Sequence, residues 1–257
     1  MDRAYYKQYR ELELKHWWFR GRECILSNIL KSHTTGSDSP TDTLKVLNVG
    51  AATGRTSEWL SGFGDVESIE PDESCARMAE EYTGMTITVA SAEALPYDAD
   101  QFDVVTAFDV IEHIEDDHQA VRELFRVTRP GGIVFVTVPA FTKLWSKHDV
   151  INHHFRRYDR GQLRQLFLQE EIIRSGYFNF FLLPPIAAAR AFSKSTQDAN
   201  QADLDEIKSD FDRNQSKLIS GILEKVLRFE AAILSNKDRF PLGVSEYLIA
   251  RKGMADS

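Results

Sequence analysis

Val46-Leu47-Asn48-Val49-Gly50-Ala51-Ala52-Thr53-Gly54 is the stretch whose reading decides the fold. Its apolar part, Leu44 to Val49, is compact and stops at Gly50, and from Thr56 to Leu60 the apolar spacing becomes helical. Strand, tight turn and helix make the unit from which open α/β sheets are built. Such sheets bind ligands beyond the C-terminal ends of their strands. Small side chains in the turn let a ligand approach the backbone closely.

Outward from this unit the pattern repeats. Val66 to Ile69 reads as a second strand ending at Glu70, followed by a helix from about Glu73 to Tyr82 and a strand near Thr86 to Val89. Phe102 to Phe108 reads as a strand and Asp117 to Val127 as a helix. Pro130-Gly131-Gly132 then breaks the chain before a strand over Ile133 to Val138. Val244 to Ala250, introduced by Pro241 and Gly243, reads as a final strand that completes the sheet. Strands alternating with helices predict an α/β fold, a mostly parallel sheet with helices on both faces.

Two regions lie outside this core. The first is an aromatic N-terminal segment over residues 1–30, and the second is an insertion over 141–238 between the 44–140 core and the terminal strand at 244–252. Within the insertion, Ser193 to Gln215 is polar and poor in apolar anchors, which predicts a mobile or loosely packed stretch. Leu218, Ile219, Ile222, Leu223, Val226, Leu227, Phe229 and Ile233 recur at helical spacing, so 214–234 is expected to be an amphipathic helix closing over the core.

Composition narrows the function. The chain has 257 residues, 42% hydrophobic and 27% charged, enough for one large domain. Its formal charge of -8 opposes a broad nucleic-acid footprint. The apolar stretch Phe178 to Ala189 is shorter than the roughly 20 residues that span a bilayer, and Pro184-Pro185 interrupts it, so no membrane insertion is expected. Cys24 and Cys75 stand alone, without a C-x-x-C pattern, and the first ten residues lack the apolar core of a secretory signal. A cytoplasmic protein is expected.

Glu70 stands twenty positions beyond Gly50, where a carboxylate can accept hydrogen bonds from two ribose hydroxyls. A dinucleotide site needs G-x-G-x-x-G, but Ala52 and Arg55 occupy the second and third glycine positions, which argues against a nicotinamide cofactor. In the 91–138 stretch come Ser91-Ala92-Glu93-Ala94-Leu95-Pro96, then Phe102-Asp103-Val104-Val105 leading to Asp109-Val110-Ile111-Glu112-His113-Ile114, then Arg129-Pro130-Gly131-Gly132. Together with the Gly50 turn and Ser68-Ile69-Glu70-Pro71, these blocks in this order resemble the class I S-adenosylmethionine-dependent methyltransferases.

The resemblance implies a Rossmann-like, mostly parallel seven-stranded sheet with a helical cap, S-adenosylmethionine as cofactor and S-adenosylhomocysteine as its product. On that likeness the turn with Asn48, Gly50, Ala51 and Gly54 holds the methionine portion, and Glu70 with Pro71 the ribose. Ser91, Ala92 and Glu93 flank adenine, while Asp109, Val110 and His113 border the sulfonium. Asn48 stands where the family commonly has an acid, and Ala52 replaces its usual middle glycine.

The methyl acceptor is expected between two clusters. One is His16-Trp17-Trp18-Phe19 with Arg20 and Arg22, read either as a helix packing aromatics on the core or as a lid. The other runs from Trp145 through His148, Asp149, His153, His154, Arg156, Arg157 and Tyr158. His148, His153 and His154 have the chemistry to take a proton from an amine or hydroxyl, with Asp149 orienting one of them, and they have equally the composition of a satisfied polar network. Asp109 and Tyr158 complete the catalytic candidates. Trp17, Trp18, Trp145, His148, His153, His154, Arg157 and Tyr158 are the candidates for contact with the methyl acceptor. No spacing here is diagnostic of metal ligation, so no catalytic metal is expected.

With Pro241-Leu242-Gly243-Val244-Ser245, these clusters resemble a bacterial subgroup associated with glycan and secondary-metabolite pathways. The reading is therefore a methyltransferase acting on N or O of a small acceptor, as a monomer or homodimer. The alternatives are a non-catalytic cofactor-binding module and an enzyme of lipid-linked glycans.

Overall fold

Leu44–Val49 (β1), Gly64–Glu70 (β2), Ile87–Val89 (β3), Phe102–Phe108 (β4), Thr128–Pro139 (β5), Glu171–Phe178 (β6) and Ser245–Arg251 (β7) hydrogen-bond into one sheet in the order β3-β2-β1-β4-β5-β7-β6. The computed structural model describes residues 3–34, 43–197, 217–236 and 239–254. β1 pairs in parallel with β2 on one side and β4 on the other, placing Val46 beside Val66 and Val104. Only β7 runs against its neighbours, pairing antiparallel with β5 and β6. This is the expected α/β Rossmann-like sheet. The chain order reverses between β1 and β4, so the crevice beyond their C-terminal ends is the place where this topology receives a ligand.

Helices cover both faces. On one face Trp17–Thr34 (α2), Arg55–Leu60 (α3) and Lys217–Ser235 (α9) bury Ile25, Leu26, Ile29, Leu60, Leu227 and Leu234 against Val46, Val104, Phe135 and Ile249. On the other, Asp117–Val127 (α5) and the segment around Leu163 and Phe167 bury Val121 and Leu124 against Leu47, Val105, Val134 and Leu248. This alternation along each strand is the period of two that fills both faces of a buried sheet. Glu73–Thr83 (α4) is capped by Asp72, which accepts from the Cys75 amide at 2.9 Å, and it ends at Gly84 in the left-handed region.

Gly21 lets α9 lie close on α2, since a Cβ there would stand 2.4 Å from Leu227 Cδ1. The expected amphipathic helix thus exists, but it covers the core with one stripe only. Leu218, Ile222 and Phe229 remain exposed, at 75%, 54% and 60%. Its expected first residues, 214–216, and most of the polar Ser193–Gln215 stretch lie outside the described residues.

Three expectations need correction. Pro130-Gly131-Gly132 does not break the chain before β5. The strand passes through it, with Gly131 at φ +76° and a register irregularity between Phe102 and Val104 of β4 absorbing the turn. Glu171–Phe178 had no strand assigned, yet it forms the edge strand β6. Pro184-Pro185 does not interrupt structure either. Both prolines fall in the first turn of Leu183–Gln197 (α8), where amide groups have no partner within the helix to lose. Among the described residues no helix is long and apolar enough to cross a membrane.

Three buried carboxyls give the fold a pH dependence. Burial pushes Glu13, Glu230 and Glu246 up to about 7. In the unfolded chain these groups ionise near the ordinary value, about 4.3, so their stabilising effect is full below that pH and is lost as pH rises through about 7. His113, pushed down to about 4 by burial and by His154, acts in the opposite sense below about 6.5. The three carboxyls outweigh it above pH 6. The unfolding midpoint is expected to be several degrees higher at pH 6 than at pH 8, and calorimetry at the two pH values checks this.

Candidate cofactor and methyl-acceptor site

The turn after β1 is built by backbone that needs small residues. Gly50 sits at φ +78° and Gly54 at φ +89°, both in the left-handed region. A Cβ at Gly50 would lie 2.5 Å from Val110 Cγ2, so the loops after β1 and β4 close on each other only because no side chain is there. Gly50 and Ala51 donate their amides to Ile69 O at 3.0 and 2.8 Å, which fixes the turn beside the end of β2. Ala52 also takes positive φ, +47°, where an L side chain is strained.

Glu70 ends β2 and faces this turn. Its Oε2 accepts the Ala52 amide at 2.9 Å and its Oε1 the Asp72 amide at 3.2 Å. A carboxylate has about four acceptor positions, so two remain for the hydroxyls of a ribose. Burial raises the Glu70 pKa, and the two backbone amides work against that rise. A glycine turn closed by Val110 and a half-satisfied carboxylate at the neighbouring strand end fit an adenosyl group carrying an amino-acid chain. Pro71 is exposed behind Glu70, and Ser91, Ala92 and Glu93 form a short turn pinned to α5 by Gln119 Nε2 on Glu93 O at 3.0 Å.

Asn48 is not presented to this crevice. Its Nδ2 donates to Ser57 Oγ at 3.0 Å and its Oδ1 accepts from Thr106 Oγ1 at 3.3 Å, with the residue 1% exposed. The amide is satisfied beneath the turn by Ser57 and Thr106.

The N-terminal segment reaches the same crevice. Arg3–Lys15 (α1) brings buried Glu13 to the Thr53 hydroxyl, and Arg10 to Thr53 O at 3.3 Å and Glu58 Oε1 at 2.6 Å. From α2, Arg22 Nη2 pairs with Asp109 Oδ2 at 2.7 Å, while Asp109 Oδ1 accepts from Thr137 Oγ1 at 3.0 Å. Asp109 itself takes φ +56°. Trp17 and Trp18 are partly buried against the α2, α9 face, and Arg22 lies over the Trp18 ring at 5.6 Å. The aromatics pack on the core, and Arg22, over the Trp18 and Phe108 rings, pairs with Asp109 at the end of β4. Spacing alone could not reveal the Glu13–Thr53 or Arg22–Asp109 contacts, because they join segments 40 and 87 residues apart.

The segment after β5 folds back over the loop after β4. Lys147–Ile151 (α6) starts with a capping box in which Asp149 Oδ2 accepts from Ser146 N at 2.8 Å. Asp149 Oδ1 also accepts from Arg157 Nε at 2.7 Å and meets His154 Nδ1 at 3.0 Å, and the Asp149 side chain is fully buried. His154 and Arg157 hold its carboxyl well below the usual range against the opposing effect of burial. His113 and His154 pack edge to face with ring centroids 4.6 Å apart, and His148 stands 6.2 Å from His154.

Two candidates are thereby taken out of reach. Arg157 is 5% exposed, paired with Asp149 and Ala140 O at 3.1 Å, so it braces the segment and is not free to clamp a methyl acceptor. Tyr158 is 3% exposed and donates to Asp117 Oδ2 at 2.8 Å; burial and that carboxylate raise its pKa, which rules against proton transfer near neutral pH. His148, His153, His154 and Trp145 remain accessible in part. Beyond Tyr158 an open groove of about 660 Å³ is lined by Asp116, Asp117, His118, Thr142, Arg156 and Gln162 among others.

Residues 47–136 match the family described as "Methyltransferase domain". Among curated proteins, a ubiquinone biosynthesis O-methyltransferase of Pseudomonas fluorescens is 36% identical over 102 residues, 35% of this chain and 42% of the relative. A chloroplastic 2-methyl-6-phytyl-1,4-hydroquinone methyltransferase of Oryza sativa is 30% identical over 113 residues, 40% of this chain and 31% of the relative. The chain thus matches less than half the length of these curated relatives. Among solved structures, phosphoethanolamine N-methyltransferase 2 of Haemonchus contortus in complex with S-adenosyl-L-methionine superposes with TM-score 0.55 at 16% identity, covering 89% of this chain and 53% of that one. Residues 47–136 therefore match a methyltransferase domain, set in a Rossmann-like fold shared with solved methyltransferases.

Proposed function

We propose that this chain transfers a methyl group from S-adenosylmethionine to N or O of a small molecule, a sugar or secondary-metabolite group in the finer reading. The observation that carries the reading is the crevice between β1 and β4, where the Gly50 turn, Glu70 and Asp109 converge at the strand ends. The cofactor supplies an electrophilic methyl group. The Gly50 turn and Glu70 bind and orient it, the Ser91 to Glu93 turn flanks its base, and Arg22 neutralises Asp109 so that the sulfonium side of the crevice carries little uncompensated charge. The described part of the 141–238 insertion provides the methyl-acceptor wall, where Asp149 fixes the His154 ring and leaves its Nε2 to meet the proton of the incoming hydroxyl or amine. Alignment of the two reactants and exclusion of water supply much of the rate. The finer assignment to glycan or secondary-metabolite chemistry rests on the likeness of the 16–22, 145–158 and 241–245 clusters. Two free thiols, Cys24 and Cys75, are in keeping with a cytoplasmic protein, acting as a monomer or homodimer.

The test is calorimetric titration with S-adenosylhomocysteine and, separately, NADH. One S-adenosylhomocysteine site per chain and no heat from NADH are expected. Binding of NADH in its place would overturn the reading.

A further inference from the structure

The loop after β4 holds a carboxylate that the methyltransferase reading does not use. Glu112 is 0% exposed, and among the described residues neither of its carboxylate oxygens has a partner in any other residue. Buried carboxylates are otherwise paired, hydrogen-bonded or bound to a metal. Two nitrogen ligands stand beside it. His113 follows it on the single 3-10 turn Ile111–His113, and His154 arrives from the segment after α6. One ligand atom from each of the three residues lies within 4.8 Å of the others.

The backbone enforces this meeting, because Phe155 donates its amide to Glu112 O at 2.8 Å. His154 is also oriented for ligation. With Nδ1 on Asp149 Oδ1 at 3.0 Å, its Nε2 is the free nitrogen, and Asp149 is itself held by Arg157 and the Ser146 amide. A carboxylate behind a histidine in this manner is the usual support of a metal-bound imidazole.

We infer that Glu112, His113 and His154 form a binding site for one divalent first-row transition cation of the zinc or manganese kind. Two imidazoles and one carboxylate suit such ions, and three protein ligands leave coordination positions for water or a hydroxyl of the methyl acceptor. Around an ion with bonds of about 2.0–2.1 Å, ligand atoms lie about 3.3 Å apart, so the three side chains need to draw in by no more than about 1.5 Å. Val110, two residues before Glu112, packs on the Gly50 turn, which puts the ion beside the cofactor crevice. With the ion bound, His154 Nε2 serves as a ligand and the proton of the methyl acceptor leaves to solvent. The site stands on its own geometry and does not depend on methyl transfer.

The test uses the full chain after chelator treatment, titrated calorimetrically at pH 7.5 with Zn²⁺ and separately with Mn²⁺. One site per chain is expected for Zn²⁺, with affinity at least about tenfold weaker in Glu112→Gln and in His154→Ala. Asp149→Asn, which weakens the support of His154 together with the Arg157 pair and the α6 cap, is expected to weaken binding by about 10- to 100-fold in a variant that thermal unfolding shows to be folded. Thermal unfolding checks that each variant is folded, and His113→Asn, which leaves buried Glu112 and Asp149 in place, reads the same loss if a buried variant does not fold. No stoichiometric binding of either ion by the wild-type chain, or equal affinity in Glu112→Gln and His113→Asn, would overturn the inference. An S-adenosylhomocysteine titration of the same sample separates this failure from failure of the methyltransferase reading.

Discussion

Asp149→Ala is expected to lower stability by about 3–5 kcal/mol, because it strands a buried guanidinium. Arg157 is 5% exposed and its charge is met only by Asp149 among the described carboxylates within ion-pair distance. The same substitution removes the acceptor of the Ser146 amide and the partner of His154 Nδ1, so the capping box of α6 is lost with it. For a chain of this size each kcal/mol shifts the unfolding midpoint by about 2–4 °C, so calorimetry should record a fall on the order of 10 °C. The double variant Asp149→Ala, Arg157→Leu should recover most of it, since removing both charges removes the stranded one. A loss below about 1 kcal/mol in the single variant would mean that water reaches Arg157 and that the 145–158 segment is not braced from within.

Glu70→Ala is expected to weaken S-adenosylhomocysteine binding by about 100-fold. A hydrogen bond to a charged group contributes about 1.5–3 kcal/mol, and tenfold in affinity corresponds to about 1.4 kcal/mol. Loss of two ribose contacts therefore accounts for a change of that size, and loss of the Ala52 amide's acceptor adds to it by loosening the turn. Glu70→Gln keeps one carbonyl oxygen and should fall between the wild type and the alanine variant. Unchanged affinity in Glu70→Ala, measured by titration of the folded variant, would show that the carboxylate serves only the turn.

The contrast between what was legible in the sequence and what was not follows from the range of the interactions. β1, β2 and β4 are short apolar runs bounded by turn residues, and each was read within two residues of its place because local pattern alone specifies it. β6 was not read: Glu171-Ile172-Ile173-Arg174-Ser175-Gly176-Tyr177-Phe178 carries a register irregularity between Ile172 and Arg174 that disrupts its alternation. β5 was read late because a glycine-proline cluster ordinarily ends an element, whereas here Gly131 at positive φ lets the strand bend and continue. Pro184-Pro185 looked like a break because proline is costly inside a helix, but it is tolerated at the start of one.

The placement of Gly50 and Glu70 at strand ends was legible for the same reason as the core strands, since sequence order predicts those ends. The methyl-acceptor side was not. Arg157 and Tyr158 look like ligand-binding groups in sequence, and only the fold shows them spent on Asp149 and Asp117. Arg22 and Glu112 lie in stretches the sequence singles out, but their surroundings were not legible there: Arg22 meets Asp109, 87 residues away, and Glu112 is buried with no partner for its carboxylate in any other described residue.

Methyl transfer is tested most directly by incubating the purified chain with methyl-labelled S-adenosylmethionine and a metabolite and lipid extract of its host, followed by chromatography and mass analysis. One or more small labelled products that depend on the protein and disappear with Glu70→Ala are expected. Label that stays wholly on the cofactor while S-adenosylhomocysteine binds normally, with polar, glycan and lipid fractions all included, would contradict methyl transfer and turn the chain into a cofactor-binding module.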